Sequence, residues 1–258
     1  VSLSQQENEH LQKTFAEQGY AILPNVVPKP PLAQLSKDLR AEFERAKSSG
    51  EMFSGGGMIS GHLNCFPGAQ SRFVYECLRD YGVIDLVRSI TPAAVRMPNV
   101  GCNMNLPGSS PQNYHIDGYA AQAFTVVNIA AVDTTIENGA MEASPYTHHR
   151  DYKYWQFVVE RPTAIRVEMK QGDVLIRTSS LWHRGMPNLS DTARPMLALT
   201  WEDGGSLLDD PYQAYEGKIR FFPNRYRTDL AGNLKERAFV AVPALGSSYR
   251  FVRSLFEH

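Results

Sequence analysis

The spacing of apolar and polar positions divides the chain into a helical first third and a strand-rich middle. Ser4 stands where a helix N-cap is expected, and the helix it opens runs to about Gln18, with Gly19 as its stop. Tyr20-Ala21-Ile22-Leu23 is a short apolar run closed by Pro24 and reads as a strand. Pro28, Pro30 and Pro31 open a second helix. Its Leu32, Leu35, Leu39, Phe43 and Ala46 recur every three or four residues, so one face is predicted to be buried. The Gly-rich residues 50–70 show no period and are predicted to form a loop, of a length that suits a lid or binding loop. Two short helical patterns follow, near 71–80 and 82–90.

From about residue 94 the period shortens. Candidate strands are 94–105, 113–119, 122–132, 163–169, 173–178, 181–185 and 193–202, separated by turn signals such as Pro107-Gly108, Glu137-Asn138-Gly139 and Gln171-Gly172-Asp173. Many short strands with scattered turns predict a sandwich or jelly roll. Helical spacing returns from about 234, where Tyr249, Val252, Leu255 and Phe256 are predicted to pack as one face. The expected organisation is a single domain over 1–258. It has an N-terminal helical layer (about 1–90), a mainly β core (about 94–205) and a C-terminal helical tail (about 234–258).

Composition narrows the function by exclusion. The 26 Lys+Arg nearly balance the 27 Asp+Glu, which argues against a protein that binds nucleic acid by neutralising phosphates. No run approaches the roughly 18 apolar residues of a membrane span. The first residues, VSLSQQENEH, hold no apolar core of a secretory signal, so a cytoplasmic setting is expected. Cys65, Cys77 and Cys102 are odd in number and form no CxxC, so neither a disulfide framework nor a zinc finger is expected. Metal chemistry would have to draw on the seven His.

The strongest local signal is Tyr114-His115-Ile116-Asp117-Gly118. Residues two apart on a strand share a face, so His115 and Asp117 would present an imidazole and a carboxylate side by side. That pair suits Fe(II), Mn(II) or Zn(II). The candidate third ligand is His183, which a jelly roll can return to the first strand. Two His and one Asp on one face of an octahedron leave positions open for a bidentate keto acid and O2. Arg194 follows His183 by 11 residues. On the strand 193–202 it shares a face with Met196, Ala198 and Thr200, opposite Leu197, Leu199 and Trp201. If that face lines the barrel, Arg194 needs an anionic partner, and the far carboxylate of 2-oxoglutarate matches its fork.

Over about residues 12–205 the sequence resembles the phytanoyl-CoA dioxygenase family of Fe(II)/2-oxoglutarate-dependent oxygenases. The resemblance rests on Phe15-Ala16-Glu17-Gln18-Gly19-Tyr20-Ala21-Ile22-Leu23-Pro24 and Gln112-Asn113-Tyr114-His115-Ile116-Asp117. It continues in Glu137-Asn138-Gly139-Ala140, Pro145-Tyr146-Thr147-His148 and Gly172-Asp173-Val174, and closes with Trp182-His183-Arg184-Gly185, Asn188 and Arg194. The resemblance implies a double-stranded β-helix, with iron on His115, Asp117 and His183 and 2-oxoglutarate on Arg194. It also places Gln112 and Thr125 near the cosubstrate. Two departures stand out: Tyr146 and Thr147 replace a Gly-Ser in the turn before His148, and Met196 stands where some related oxygenases carry a Ser two residues after the Arg.

The implied activity is oxidation of a C–H bond in a small molecule, with Fe(II), 2-oxoglutarate and O2, by hydroxylation, desaturation or ring closure. Because Asp117 is retained, halogenation is not implied. A natural product, sugar or antibiotic intermediate is the expected substrate class, and Asp209, Asp210 and Glu216 in the segment 203–230 are candidates to meet a cationic or polyol group. The alternative is a cupin-type hydrolase or isomerase that holds Zn(II) or Mn(II) in the same triad and makes no use of 2-oxoglutarate. Among the remaining His, His148 is expected in a structural turn and His149, His10 and His258 at the surface. His62 is expected in the Gly-rich loop, exposed or touching substrate. Trp182 is expected to serve packing, and the Cys to be buried as small apolar residues. The oligomeric state is open.

Overall fold

A computed structural model describes residues 2–51, 57–222 and 230–256. The chain opens with α1 (Gln5–Gln18), capped as the sequence predicts: the Ser4 and Glu7 side chains each accept the other's backbone N–H, and Gly19 ends the helix in the left-handed conformation. β1 (Tyr20–Leu23) and α2 (Lys29–Ser48) follow, and α2 buries Leu32, Leu35, Leu39, Phe43 and Ala46 as its spacing predicts. Then come α3 (Gly57–Ser60), β2 (His62–Phe66), α4 (Arg72–Tyr81), α5 (Val83–Ile90), β3 (Asn99–Asn105), β4 (Thr125–Ala130) and β5 (Met141–Ala143). The rest is α6 (Tyr154–Glu160), β6 (Ile165–Val167), β7 (Val174–Thr178), β8 (His183–Arg184), β9 (Arg194–Thr200), β10 (Arg220–Phe221), α7 (Leu230–Ala241) and α8 (Pro243–Leu255).

The strands form a jelly roll of two antiparallel sheets. The larger is seven-stranded, in the order β1-β7-β4-β9-β3-β2-β10, and the smaller is three-stranded, β6-β5-β8. The outer face of the large sheet carries Val127, Ile129, Val174, Ile176, Leu197, Leu199, Cys102 and Met104. It packs under the apolar faces of α2, α4 and α5 in one cluster of buried side chains. Each such aliphatic side chain withdrawn from water contributes about 1.5–3 kcal/mol. The inner face looks toward the small sheet. At one end the gap is filled by Ala130, Leu175, Ala143, Val167, Met169 and Leu181. At the other it opens into a cavity.

Several sequence expectations need correction. The stretch 50–70 is not all loop: His62–Phe66 is a strand within the large sheet, paired with β3 on one side and β10 on the other. Its alternation was present, with Leu63 and Cys65 in the core and Asn64 toward the cavity, but the flanking glycines obscured it. Residues 52–56 of that loop, 223–229 of the segment 203–230, and His258 lie outside the described residues. The first ninety residues therefore supply β1 and β2 to the sheet as well as helices. The expected strand 113–119 shrinks to one bridge between His115 and His183. Helix α6 was not foreseen.

The tail is helical, but its predicted apolar face is not buried: Tyr249, Val252 and Phe256 are 48%, 55% and 77% exposed. Helix α8 is docked by its other face. There the Ser254 hydroxyl accepts the Trp155 N–H at 3.0 Å, Ser247 donates to the Asn113 side-chain oxygen at 2.9 Å, and Arg250 lies over the Tyr154 ring. Among the described residues no helix is long and apolar enough to cross a membrane.

Candidate active site

The His115–His183 bridge builds the site. Each residue's backbone N–H donates to the other's carbonyl, at 2.9 and 3.0 Å, so the two are directly opposed and project their imidazoles to the same side, 4.5 Å apart. The Nδ1 of His115 lies 2.9 Å from the Asn113 carbonyl, and the Nδ1 of His183 lies 2.9 Å from the Leu181 carbonyl. A carbonyl only accepts, so each Nδ1 carries the proton and each Nε2 keeps its lone pair. Both lone pairs face Asp117, whose oxygens stand 3.9 Å from Nε2 of His115 and 3.7 Å from Nε2 of His183. Backbone bonds from Asp117 and Gly118 to the Ser179 carbonyl fix the main chain that carries that carboxylate. One donor atom from each of the three residues lies within 4.8 Å of the others.

The electrostatics keep these donors in their ligand forms. Burial pushes the His183 imidazole down to about 3, helped by the neighbouring Arg177 cation, and burial likewise lowers His115. For Asp117 burial alone would raise the carboxyl. Arg177, with His183 and His115, outweighs it and holds the group well below the usual carboxylate range. At neutral pH the site therefore offers two neutral imidazoles and a carboxylate. This donor set fits a divalent iron ion.

These groups open onto a cavity of about 960 Å³ between the sheets, roofed by α7 and α8. Arg194 lines it from β9 with Met196, Ala198 and Thr200, the face the alternation predicts. Its guanidinium is buried and donates to the Asn138 and Gly139 carbonyls at 3.4 and 3.2 Å. Among the described residues no carboxylate pairs with it, and burial lowers its pKa to about 10. The turn supplying those carbonyls needs Gly139. Its φ is +84°, and a Cβ there would stand 2.3 Å from the Asn105 side-chain nitrogen and 2.6 Å from the Met186 carbonyl.

Gln112 also reaches the cavity. Its side-chain oxygen accepts the Gly185 N–H at 2.9 Å, which leaves the amide N–H groups as donors. Gly185 permits this approach, since a Cβ would lie 2.8 Å from both Gln112 and His62.

Thr125 is not brought to the site. It is wholly buried on the outer side of β4, where its hydroxyl pairs with that of Thr91 at 2.6 Å. The cavity-facing residues of β4 are Val126 and Asn128. His62 is not an exposed loop residue either. It is buried on β2, lines the cavity, and its Nε2 contacts the Ser110 carbonyl at 2.8 Å, while burial lowers its pKa to about 4. Asp210 and Glu216 lie away from the cavity, paired with Arg72 and Lys218.

Sequence reasoning missed Arg177. It stands at the end of β7, buried to all but 8% of its side chain, and pairs with Asp117 at 2.7 Å. Asn128 was also missed, and it was findable: it is the one polar residue inside the otherwise apolar run Val126–Ala130, which marks which face of β4 meets the cavity.

Of the other expected packing residues, Trp182 stacks on Phe157 with ring centroids 4.3 Å apart, and His148 sits in its turn with Nε2 3.1 Å from the Ala16 carbonyl. Cys65 and Cys102 are buried and Cys77 partly so.

A family model described as "Phytanoyl-CoA dioxygenase (PhyH)" matches residues 15–196. Among solved structures, the epimerase SnoN in complex with Fe3+, alpha ketoglutarate and nogalamycin RO is similar with a TM-score of 0.58 and 17% identity, covering 76% of this chain and 84% of that one. The non-heme alpha ketoglutarate dependent carbocyclase SnoK from nogalamycin biosynthesis is similar with a TM-score of 0.57 and 17% identity, covering 77% and 83%. AviO1 from Streptomyces viridochromogenes Tue57 gives a TM-score of 0.59 and 17% identity, covering 77% and 96%. At these identities the likeness speaks for the shared fold.

Proposed function

Because the chain belongs to the phytanoyl-CoA dioxygenase family, matched over residues 15–196, we propose that it is an Fe(II)- and 2-oxoglutarate-dependent oxygenase that oxidises a C–H bond of a small molecule. His115, Asp117 and His183 hold the iron. Arg194 holds the far carboxylate of 2-oxoglutarate, and Gln112 donates to the bound cosubstrate or substrate. When bound, Fe(II) with 2-oxoglutarate and O2 supplies the oxidising power for C–H cleavage, and 2-oxoglutarate leaves as succinate and CO2.

The observation that carries this reading is the Arg194 guanidinium, buried in the same cavity as the triad with no carboxylate partner among the described residues. A buried cation left unpaired is costly, and an organic dianion relieves that cost. A hydrolase or isomerase on the same triad would have no use for it.

The chain's own contribution is to bind, orient and exclude water. The two imidazoles are held in one tautomer by backbone carbonyls, so no reorganisation is needed when the metal arrives. Arg194 begins a strand that pairs with β3 along its whole length, Arg194 itself opposite Asn105, so its position is set by the sheet. The roof of α7 and α8 closes the cavity over the substrate with Glu236, Phe239, Val240 and Pro243. A cavity of about 960 Å³ leaves room for a substrate well beyond a single small acid. The amide side chains of Asn64, Asn103 and Asn128 suit a hydroxyl-bearing molecule. A tailoring step on a natural product, a sugar or an antibiotic intermediate fits this lining, and the iron-dependent neighbours named above belong to such pathways.

Anaerobic addition of Fe(II) and 2-oxoglutarate tests the assignment. A visible charge-transfer band is expected, and it should vanish in His183→Ala. A missing band, or one unchanged in that variant, would overturn the reading. Succinate release against a panel of hydroxylated small molecules then finds the substrate.

A further inference from the structure

The triad contains an ion pair whose partner belongs to neither ligand strand. Arg177 lies on β7, opposite Val126 of β4 and Tyr20 of β1. Its side chain turns into the cavity and makes two bonds. Nε donates to the Asn128 side-chain oxygen at 3.1 Å, and one terminal nitrogen, Nη2, donates to Oδ2 of Asp117 at 2.7 Å. The other, Nη1, is buried with no hydrogen-bond partner. A guanidinium kept in the interior with one nitrogen unsatisfied is an expensive arrangement, because an unpaired buried donor has given up its hydrogen bonds to water. Among the described residues its one carboxylate partner is Asp117.

Resting on the iron reading above, we propose that Arg177 is a positioning residue that makes Asp117 a one-oxygen ligand. By occupying Oδ2, it leaves Oδ1 as the carboxylate oxygen turned to Nε2 of His115, 3.9 Å away. Asn128 braces the guanidinium plane, so the fork meets the carboxylate at a fixed angle and does not drift along it.

The consequence concerns coordination positions. A carboxylate that closes on the metal with both oxygens takes a position that a bidentate keto acid needs. Arg177 therefore protects the 2-oxoglutarate site without touching 2-oxoglutarate, and does so from a different strand than Arg194. The Asp117 side chain is open toward the cavity and fixed by the chain on its other side, so without Arg177 only its own torsions would decide how many oxygens it offers.

Co(II), which absorbs in the visible and does not turn over, is the probe. Full-length Arg177→Leu and Asn128→Leu are titrated with Co(II) and then with 2-oxoglutarate, beside the parent, with far-UV circular dichroism as the check on folding. The Co(II) spectrum of Arg177→Leu is expected to differ from the parent's before any 2-oxoglutarate is added. Its 2-oxoglutarate dissociation constant is expected to rise at least about tenfold, or about 1.4 kcal/mol, although Arg194 is intact. Asn128→Leu, which removes only the brace, is expected to shift both readouts in the same direction by less. A folded Arg177→Leu with the parent's Co(II) spectrum and a 2-oxoglutarate affinity within twofold would overturn the proposal. If Arg177→Leu does not fold, a parent-like Asn128→Leu overturns it. A parent that binds no Co(II) at all would remove the iron-site reading as well, and this keeps the two failures distinct.

Discussion

On β9, Leu197 and Leu199 turn outward into the helices, while Arg194, Met196, Ala198 and Thr200, of the opposite parity, line the cavity. The same division runs through β4, with Val127 and Ile129 outside and Val126 and Asn128 inside, and through β7, with Val174 and Ile176 outside and Leu175 and Arg177 inside. The outer face is closely packed hydrocarbon. Among the described residues the inner face holds the buried cations Arg194, with no carboxylate, and Arg177, with an unsatisfied nitrogen. Strand alternation thus lets adjacent residues serve opposite ends. One face supplies the stability that the other spends on a preorganised polar site. Substitutions of opposite parity on one strand should therefore separate stability from binding.

Arg194→Met is the sharpest test, with the largest expected effect. Loss of the bidentate partner should weaken 2-oxoglutarate binding to the metal-loaded protein by about a hundredfold or more, since breaking a buried charge pair costs about 3–5 kcal/mol. The metal-free protein should be as stable as the parent or more so, because an unpaired buried cation has been replaced by an apolar chain of similar length. A 2-oxoglutarate titration and thermal unfolding read both quantities. A large fall in melting temperature would contradict the division of the sheet.

Leu197→Ala should give the mirror image. It opens a cavity under the helices and is expected to cost about 2–5 kcal/mol in urea unfolding. The 2-oxoglutarate affinity of the folded fraction should stay within twofold. If affinity falls with stability, the two faces are not separable.

The inner face should also show its cost in acid. Burial lowers the His62 pKa from its ordinary 6.5 to about 4. Between those values the unfolded chain binds a proton that the folded one does not, so stability falls as pH drops from 6.5 toward 4. The contribution is on the order of 3 kcal/mol, at 1.36 kcal/mol per pKa unit. His183, lowered to about 3, adds to the same trend and continues it further into acid. His62→Gln should lose less stability than the parent over pH 6.5 to 4. Parallel curves for the two proteins would show that His62 is already free to ionise in the folded state.

The same alternation explains what could be read in advance. His115 and Asp117 are two apart in one motif. Arg194 shares a parity with Met196 and Ala198 in a strand whose other parity is plainly apolar, so both inward positions were legible. On β4 the parity is ambiguous, because Val126 and Val127 are both apolar. Thr125 was expected near the cosubstrate, whereas Asn128 was the true marker of the cavity face. Arg177 was illegible for a different reason. At the end of Val174-Leu175-Ile176 it reads as a solvated strand terminus, and its partner Asp117 stands 60 residues earlier. Only the β1-β7-β4 pairing turns it inward. The tail failed where helical spacing alone was used: the apolar stripe on α8 was present but pointed outward, and Ser247 and Ser254 made the contacts.

That stripe provides the smallest expected effect. Val252 is 55% exposed, in line with Tyr249 and Phe256 on the face of α8 turned away from the cavity. Val252→Ser removes little buried surface, so unfolding free energy should move by no more than about 0.5 kcal/mol. 2-Oxoglutarate affinity should not move at all. Ser254→Val, two residues along on the docked face, should behave otherwise, since it deletes the acceptor of the Trp155 N–H. A cost of about 1–3 kcal/mol is expected where that donor is left buried and unpaired. The pair of variants extends the sheet comparison to a helix: on the roof, stability resides in the small polar residues and not in the apolar ones. A Val252→Ser loss as large as that of Ser254→Val would reverse this assignment and show that the stripe is covered in solution.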